Sequence, residues 1–180
     1  MSKKLLVTFP GRNYSTSKPL LYYGERVFGM RDYDVISLDY DKYLNSNKDD
    51  LEGLIAEAIP LAFKKLRNID FSKYEDVVFL SKSIGTAVAG AVEEKLRILA
   101  RHIYLTPVAP ALKYMRSGKG IVVAGKEDSF LDSKKLKIFC VGEDIALKQF
   151  DDVGHSLEYK DDISKTFAVL MVVVRLYKEF

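Results

Sequence analysis

The chain has 180 residues, 48% of them apolar, and its 28 lysines and arginines stand against 25 aspartates and glutamates. That length and apolar share support one domain over residues 1–180 with a substantial core, and a near balance of charge spread along the whole chain argues against a nucleic-acid partner. One cysteine, Cys140, leaves no internal disulfide and fits a reducing cytoplasm, while the stretch before Pro10 is too short for a signal peptide and the apolar run Phe167 to Val174 falls below the roughly 20 residues of a membrane span, so a soluble protein is expected.

In chain order, Leu5 to Phe9 reads as a strand stopped by Pro10-Gly11, followed by a helical pattern from Lys18 to Gly29 and a strand over Asp34 to Leu38. Leu51, Leu54, Ile55, Ala58, Ile59, Ala62 and Leu66 fall on one helical face, with Asp49 or Asp50 as N-cap and Pro60 as a point where the helix could kink or divide. Val77 to Leu80 is a short apolar strand, and Val88, Val92, Leu96 and Leu99 then recur at helical spacing. Ile103 to Thr106 forms the next strand, followed by a short helix over Ala109 to Arg116, a loop at Ser117 to Gly120 and a strand at Ile121 to Gly125. Leu131 to Asp144 carries both helix and strand signals and is read as a helix, Ala146 to Phe150 as a weaker strand, and Asp162 to Lys178 as a closing helix. Such alternation implies a parallel sheet covered by helices on both faces, an α/β/α sandwich with its site at the carboxyl ends of the strands.

Between the strand ending at Leu80 and the helix that follows lies Ser81-Lys82-Ser83-Ile84-Gly85. A strand that feeds a helix through so tight a turn presents the middle side chain, Ser83, at the sheet edge, as a serine nucleophile requires. A serine hydroxyl needs a base, usually imidazole, and a carboxylate to orient it. Of the two histidines, His102 opens a strand at the far edge and is read as a surface residue, whereas His155 follows a strand on the side of Ser83. Asp128 leaves the strand Ile121 to Ala124 and completes the order Ser83, Asp128, His155, with Asp132, Asp151 and Asp152 as competitors for the acid role.

With the elbow at Ser81 to Gly85, Gly125 to Asp128 and Gly154-His155 in that order, the chain resembles the α/β-hydrolase family, in particular its small members without a cap domain, akin to dienelactone-hydrolase-like esterases. The resemblance spans nearly the whole chain and implies a minimal α/β-hydrolase fold of about six strands, starting at the third strand of the full fold, with no lid. It further implies that Ser83 attacks an acyl carbonyl, that His155 relays the proton and that Asp128 holds the imidazole. The N–H of Ile84 would supply half of an oxyanion hole and an amide of Gly11 or Arg12 the other half. Ser81 replaces the first glycine of the motif and crowds the turn, and no His-Gly-Gly-Gly segment is present.

Tyr14, Tyr22, Tyr23 and Phe130 are candidate pocket walls. Lys82 could attract an anionic substrate, although a solvated lysine is the simpler expectation. The expected substrate is a small ester or thioester, with an acyltransferase and a non-catalytic binding module as alternatives. No metal-ligand spacing and no phosphate-binding glycine motif occur, so no cofactor is expected. An uncapped site leaves room for completion by a second subunit.

Overall fold

The computed structural model describes residues 3–45, 47, 50–116, 118 and 120–180. Strand β1 (Lys3–Phe9) is followed by α1 (Pro19–Gly29), β2 (Tyr33–Ser37), α2 (Leu51–Leu66), β3 (Tyr74–Lys82) and α3 (Ile84–Leu96). The second half comprises β4 (Arg101–Leu105), β5 (Gly120–Gly125), α4 (Ser133–Gly142), β6 (Ala146–Phe150) and α5 (Ile163–Glu179). Short 3-10 turns occupy Tyr40–Tyr43, Phe71–Lys73 and Ala109–Tyr114.

The six strands pair in the order β2-β1-β3-β4-β5-β6, every pair parallel. The period-two alternation of the strands divides the core cleanly. Leu5, Val7, Phe9, Val77, Phe79, Tyr104, Val122 and Ala124 face the side covered by α2, α3 and α4, where Leu54, Ala58, Val88 and Leu136 meet them. Leu6, Val78, Leu80, Ile103, Leu105 and Val123 face the other side, under Leu21, Phe28, Val169, Val173 and Tyr177 of α1 and α5. Strand residues buried on both faces need continuous apolar runs, which is why the strand signals in this chain are short and uninterrupted.

The expected helix between Leu131 and Asp144 forms as α4, capped by the Asp132 carboxylate, which accepts from the N–H of Lys135 at 2.8 Å. Asp50 caps α2 through the N–H of Gly53 at 2.8 Å, while Asp49 lies outside the described residues, as do Ser117 and Lys119 of the expected loop. Pro60 does not divide α2; it sits on the exposed side, where water can serve the carbonyl of Ala56 that proline leaves without its helical donor.

Two expectations are corrected. Leu99 does not continue the buried face of α3, because Arg97 takes a left-handed conformation (φ 53°) that ends the helix and leaves Leu99 79% exposed. His102 is no surface residue: β4 is an interior strand whose start is covered by α3, so the imidazole is fully buried, stacked on Tyr104, with Nε2 3.1 Å from the Glu93 carboxylate.

Phe79 packs at the centre of the sheet against Phe9, ring centroids 4.8 Å apart, and against His102. Phe79→Ala is expected to destabilise the fold by about 3–5 kcal/mol in urea denaturation. Leu99→Ala should stay within about 0.5 kcal/mol of the native protein.

Candidate active site

The order of the strands reverses between β1 and β3: the chain leaves β1 for the edge strand β2 and returns to lay β3 on the other side of β1. Crossovers from these two strands run to opposite faces, so a crevice opens at their carboxyl ends. The loop Pro10 to Tyr14 leaves β1 there, and Ser83 leaves β3 beside it.

Ser83 has φ 56° and ψ −125°, a conformation that an L-residue adopts at a cost of order 1–3 kcal/mol. Backbone bonds hold it: its N–H donates to Leu105 O at 3.0 Å, and its carbonyl accepts from the N–H and hydroxyl of Thr86 at 2.9 and 2.5 Å. Gly85 lets β1 approach, since a Cβ there would lie 2.5 Å from the carbonyl oxygen of Phe9 and 2.6 Å from that of Pro10. Ser81 does not crowd the turn in the way expected; it is the penultimate residue of β3, fully buried, and its hydroxyl donates to Ile103 O at 3.3 Å.

His155 and Asp128 come to Ser83 from two further strand ends. Asp128, 8% exposed, follows β5, and His155 lies in the loop after β6. That loop presses on the end of β5 so closely that a Cβ on Gly125 would sit 2.1 Å from Val153 O, and the Glu127 N–H donates to that same carbonyl at 3.0 Å. The His155 Nε2 is 2.7 Å from Ser83 Oγ, and its Nδ1 is 2.8 Å from Asp128 Oδ2. A carboxylate can only accept, so Nδ1 carries the hydrogen and Nε2 keeps a lone pair towards the serine hydroxyl. The other Asp128 oxygen accepts from the Phe130 N–H at 2.9 Å.

None of the competitors for the acid role hydrogen-bonds the His155 ring. Asp132 caps α4, Asp151 pairs with Lys126 at 2.5 Å in solvent, and Asp152 is exposed. Burial holds the His155 pKa below its ordinary value against the raising effect of the hydrogen-bonded Asp128, with the charge of Lys82 adding to the depression.

Of the candidate oxyanion donors, Gly11 is corrected: its N–H donates to Tyr14 O at 3.1 Å in a small antiparallel bridge. The N–H of Ile84, at the first position of α3, has no helical acceptor, and the N–H of Arg12 has no acceptor among the described residues. The Arg12 loop is braced by the turn at Tyr40–Tyr43, with Arg12 Nη1 donating to Asp41 O at 3.2 Å and the Tyr40 hydroxyl to Pro10 O at 2.8 Å.

Among the candidate pocket residues, Phe130 flanks the imidazole, ring centroids 4.5 Å apart, and is 40% exposed. Tyr14 turns its hydroxyl to the start of α1, accepting from the Leu20 N–H at 3.1 Å, and burial pushes its pKa up to about 12. Lys82 is neither solvated nor a pocket wall: as the residue after Ser81 in β3 it points inwards, 2% exposed, beneath the His155 loop. Tyr22 and Tyr23 lie half-exposed on α1. An open polar groove lined by Glu127, Ser129, Gly154, Glu158 and Lys165 reaches the outer side of His155 but not Ser83. Among the described residues no group of three histidine, cysteine or acidic side chains is arranged to hold a metal, and no helix is long and apolar enough to cross a membrane.

No protein-family model matches the sequence, and no curated protein matches it significantly. Solved structures do resemble it. A candidate hydrolase of the α/β superfamily from Xanthomonas campestris aligns over 100% of both chains at 14% identity and a TM-score of 0.71. A lidless α/β serine hydrolase from the same species aligns over 98% of this chain and 82% of its own at 13% identity and a TM-score of 0.62. Esterase 2 of Thermogutta terrifontis, in a form phosphorylated by paraoxon, aligns over 98% and 82% at 15% identity and a TM-score of 0.61. The chain therefore has the α/β-hydrolase fold, with the six-stranded parallel sheet expected from its sequence.

Two glycines separate the constraint at the elbow from ordinary helix propensity. Gly85→Ala forces a methyl against two β1 carbonyls and is expected to lower stability by about 1–3 kcal/mol in thermal or urea unfolding. Gly29→Ala at the end of α1, where a Cβ meets nothing within 4 Å, should be neutral or stabilising.

Proposed function

We propose that the protein is a serine hydrolase that cleaves a small carboxylic ester or thioester through an acyl-enzyme. The observation that carries this reading is the unbroken line from Ser83 Oγ through both nitrogens of His155 to Asp128, at 2.7 and 2.8 Å, ending on a serine held at positive φ. The fold likeness to serine hydrolases and an esterase supports it by analogy.

In this reading Ser83 Oγ forms a bond to the acyl carbon while its proton passes to His155 Nε2, and the carbonyl π electrons move to oxygen. The resulting oxyanion lies at the start of α3, where the N–H of Ile84 and the N–H of Arg12 stabilise it; each such donor contributes about 3 kcal/mol to the transition state. The C–O or C–S bond then breaks as the imidazolium returns the proton to the leaving group. Water repeats the sequence on the acyl-enzyme, with the proton going to Nε2 and then back to Ser83.

The imidazole must be neutral to accept that proton, so activity is lost as pH falls through the His155 pKa. Because this pKa is lowered, the midpoint of the acidic limb lies below the ordinary value of 6.5.

A fluorophosphonate probe is expected to label Ser83 and to leave Ser83→Ala unmodified, with a labelling rate whose acidic midpoint lies below pH 6.5. Asp128→Asn should slow ester hydrolysis by about four orders of magnitude, because the orienting acceptor is lost. A native protein left unlabelled while it binds small esters favours a non-catalytic module.

A further inference from the structure

A lysine next to a nucleophile would ordinarily extend into solvent, but β3 continues through Lys82. Val78, Leu80 and Lys82 alternate onto the face covered by α1 and α5, and the lysine stem follows them into the core. The ammonium ends in a closed polar cage. Its Nζ donates to Thr106 Oγ1 at 2.6 Å and to the backbone carbonyl of His155 at 2.8 Å, and it lies 5.1 Å from the centre of the Tyr14 ring. Three chain segments that are remote in sequence meet on this one cation: the turn after β1 (Tyr14), the residue after β4 (Thr106) and the His155 loop.

Burying the ammonium carries a large desolvation cost, which the hydrogen bonds to Thr106 and to the His155 carbonyl offset. The bond to the carbonyl of His155 fixes the backbone from which the imidazole projects. Displacing that backbone by a fraction of an ångström would open the 2.7 Å contact between Nε2 and Ser83 Oγ.

We propose that Lys82 is a positioning residue of the hydrolytic site, its ammonium tying the backbone of the His155 loop to the end of β4 through Thr106 and so holding the imidazole against Ser83. This inference rests on the hydrolase reading above and adds a fourth side chain to it. The charged and titratable groups facing the pair are Asp128 from the end of β5, Glu158 from the loop before α5 and Tyr14 from the loop after β1. Burial lowers the Lys82 pKa to about 7, against the raising effect of Asp128 and Glu158, so its charge changes near neutrality. Lys82 in turn depresses the His155 pKa.

The test uses the full chain with p-nitrophenyl acetate and a fluorophosphonate, together with NMR titration of the His155 ring. Lys82→Met keeps the stem but removes the charge. It is expected to lower kcat by about tenfold or more, with KM changed less than about threefold. The acidic limb of the rate and the NMR titration of His155 should both move to higher pH, because the cation that opposed imidazole protonation is gone. A brace with only a structural role would reduce the amount of folded protein and leave the titration midpoint of the folded fraction where it was.

Thr106→Val, which removes one acceptor from the ammonium while keeping Lys82, should shift the same quantities in the same direction by less, and Thr106→Ser should restore them. These two variants decide the matter if Lys82→Met does not fold. Native labelling rate and an unmoved His155 midpoint in Lys82→Met, or in Thr106→Val where that variant alone folds, overturn the proposal and leave the hydrolase reading standing. A native protein that takes no probe at Ser83 removes the hydrolase reading, while the NMR midpoint still decides whether Lys82 sets the imidazole.

Discussion

Ser83 occupies a backbone conformation that costs free energy, and the site is organised around keeping it there. The strain is tolerable because β3 is one of the two central strands of the sheet, paired on one side with β1 and on the other with β4, so that the residues before the elbow cannot relax. The N–H of Ser83 continues the ladder to Leu105, and α3 begins at once, taking its carbonyl into the bonds from Thr86. A rigid strand and a rigid helix thus meet at one residue, and the cost of the junction is borne by the packing of both. The absence of a side chain at Gly85 is the complementary requirement, because it lets the loop after β1 close over the start of α3.

From this point the electrostatics follow. An exposed serine, histidine and aspartate would be solvated and would gain little from one another, whereas Asp128 is almost fully buried and His155 partly so. Burial opposes protonation of the imidazole and the adjacent carboxylate favours it; the first effect prevails, and the ring remains neutral until a proton is offered to it. The buried ammonium of Lys82 acts on the same balance from beneath the loop. An anion, a neutral base and a cation therefore lie around His155, the carboxylate bonded to its ring and the ammonium to its backbone carbonyl.

The alternation of strands and helices was legible throughout, since apolar runs bounded by glycine, proline and polar turns follow directly from burial on two faces. The order Ser83, Asp128, His155 was legible because each residue follows a strand, and parallel strands all deliver their ends to one edge. What the pattern hid was the reach of the strands by one or two residues. Ending β3 at Leu80 left Lys82 in a solvated turn, whereas extending the alternation of Val78 and Leu80 by one step turns it inwards. Starting β4 at Ile103 likewise made His102 a surface residue, although the strand begins at Arg101 and lies in the interior. The commitment of the Gly11 amide to Tyr14 depends on a local turn geometry that no residue type announces.

The central claim is that His155 makes the Ser83 oxygen a nucleophile. Acid quenching of the protein during turnover of p-nitrophenyl acetate, followed by peptide mass spectrometry, addresses it directly. An acetyl group on the peptide carrying Ser83, formed as nitrophenolate is released and absent when His155 is replaced by alanine, is the predicted result. Hydrolysis that proceeds at the native rate in Ser83→Ala, or an acetyl group carried by Lys82 in place of Ser83, would contradict it.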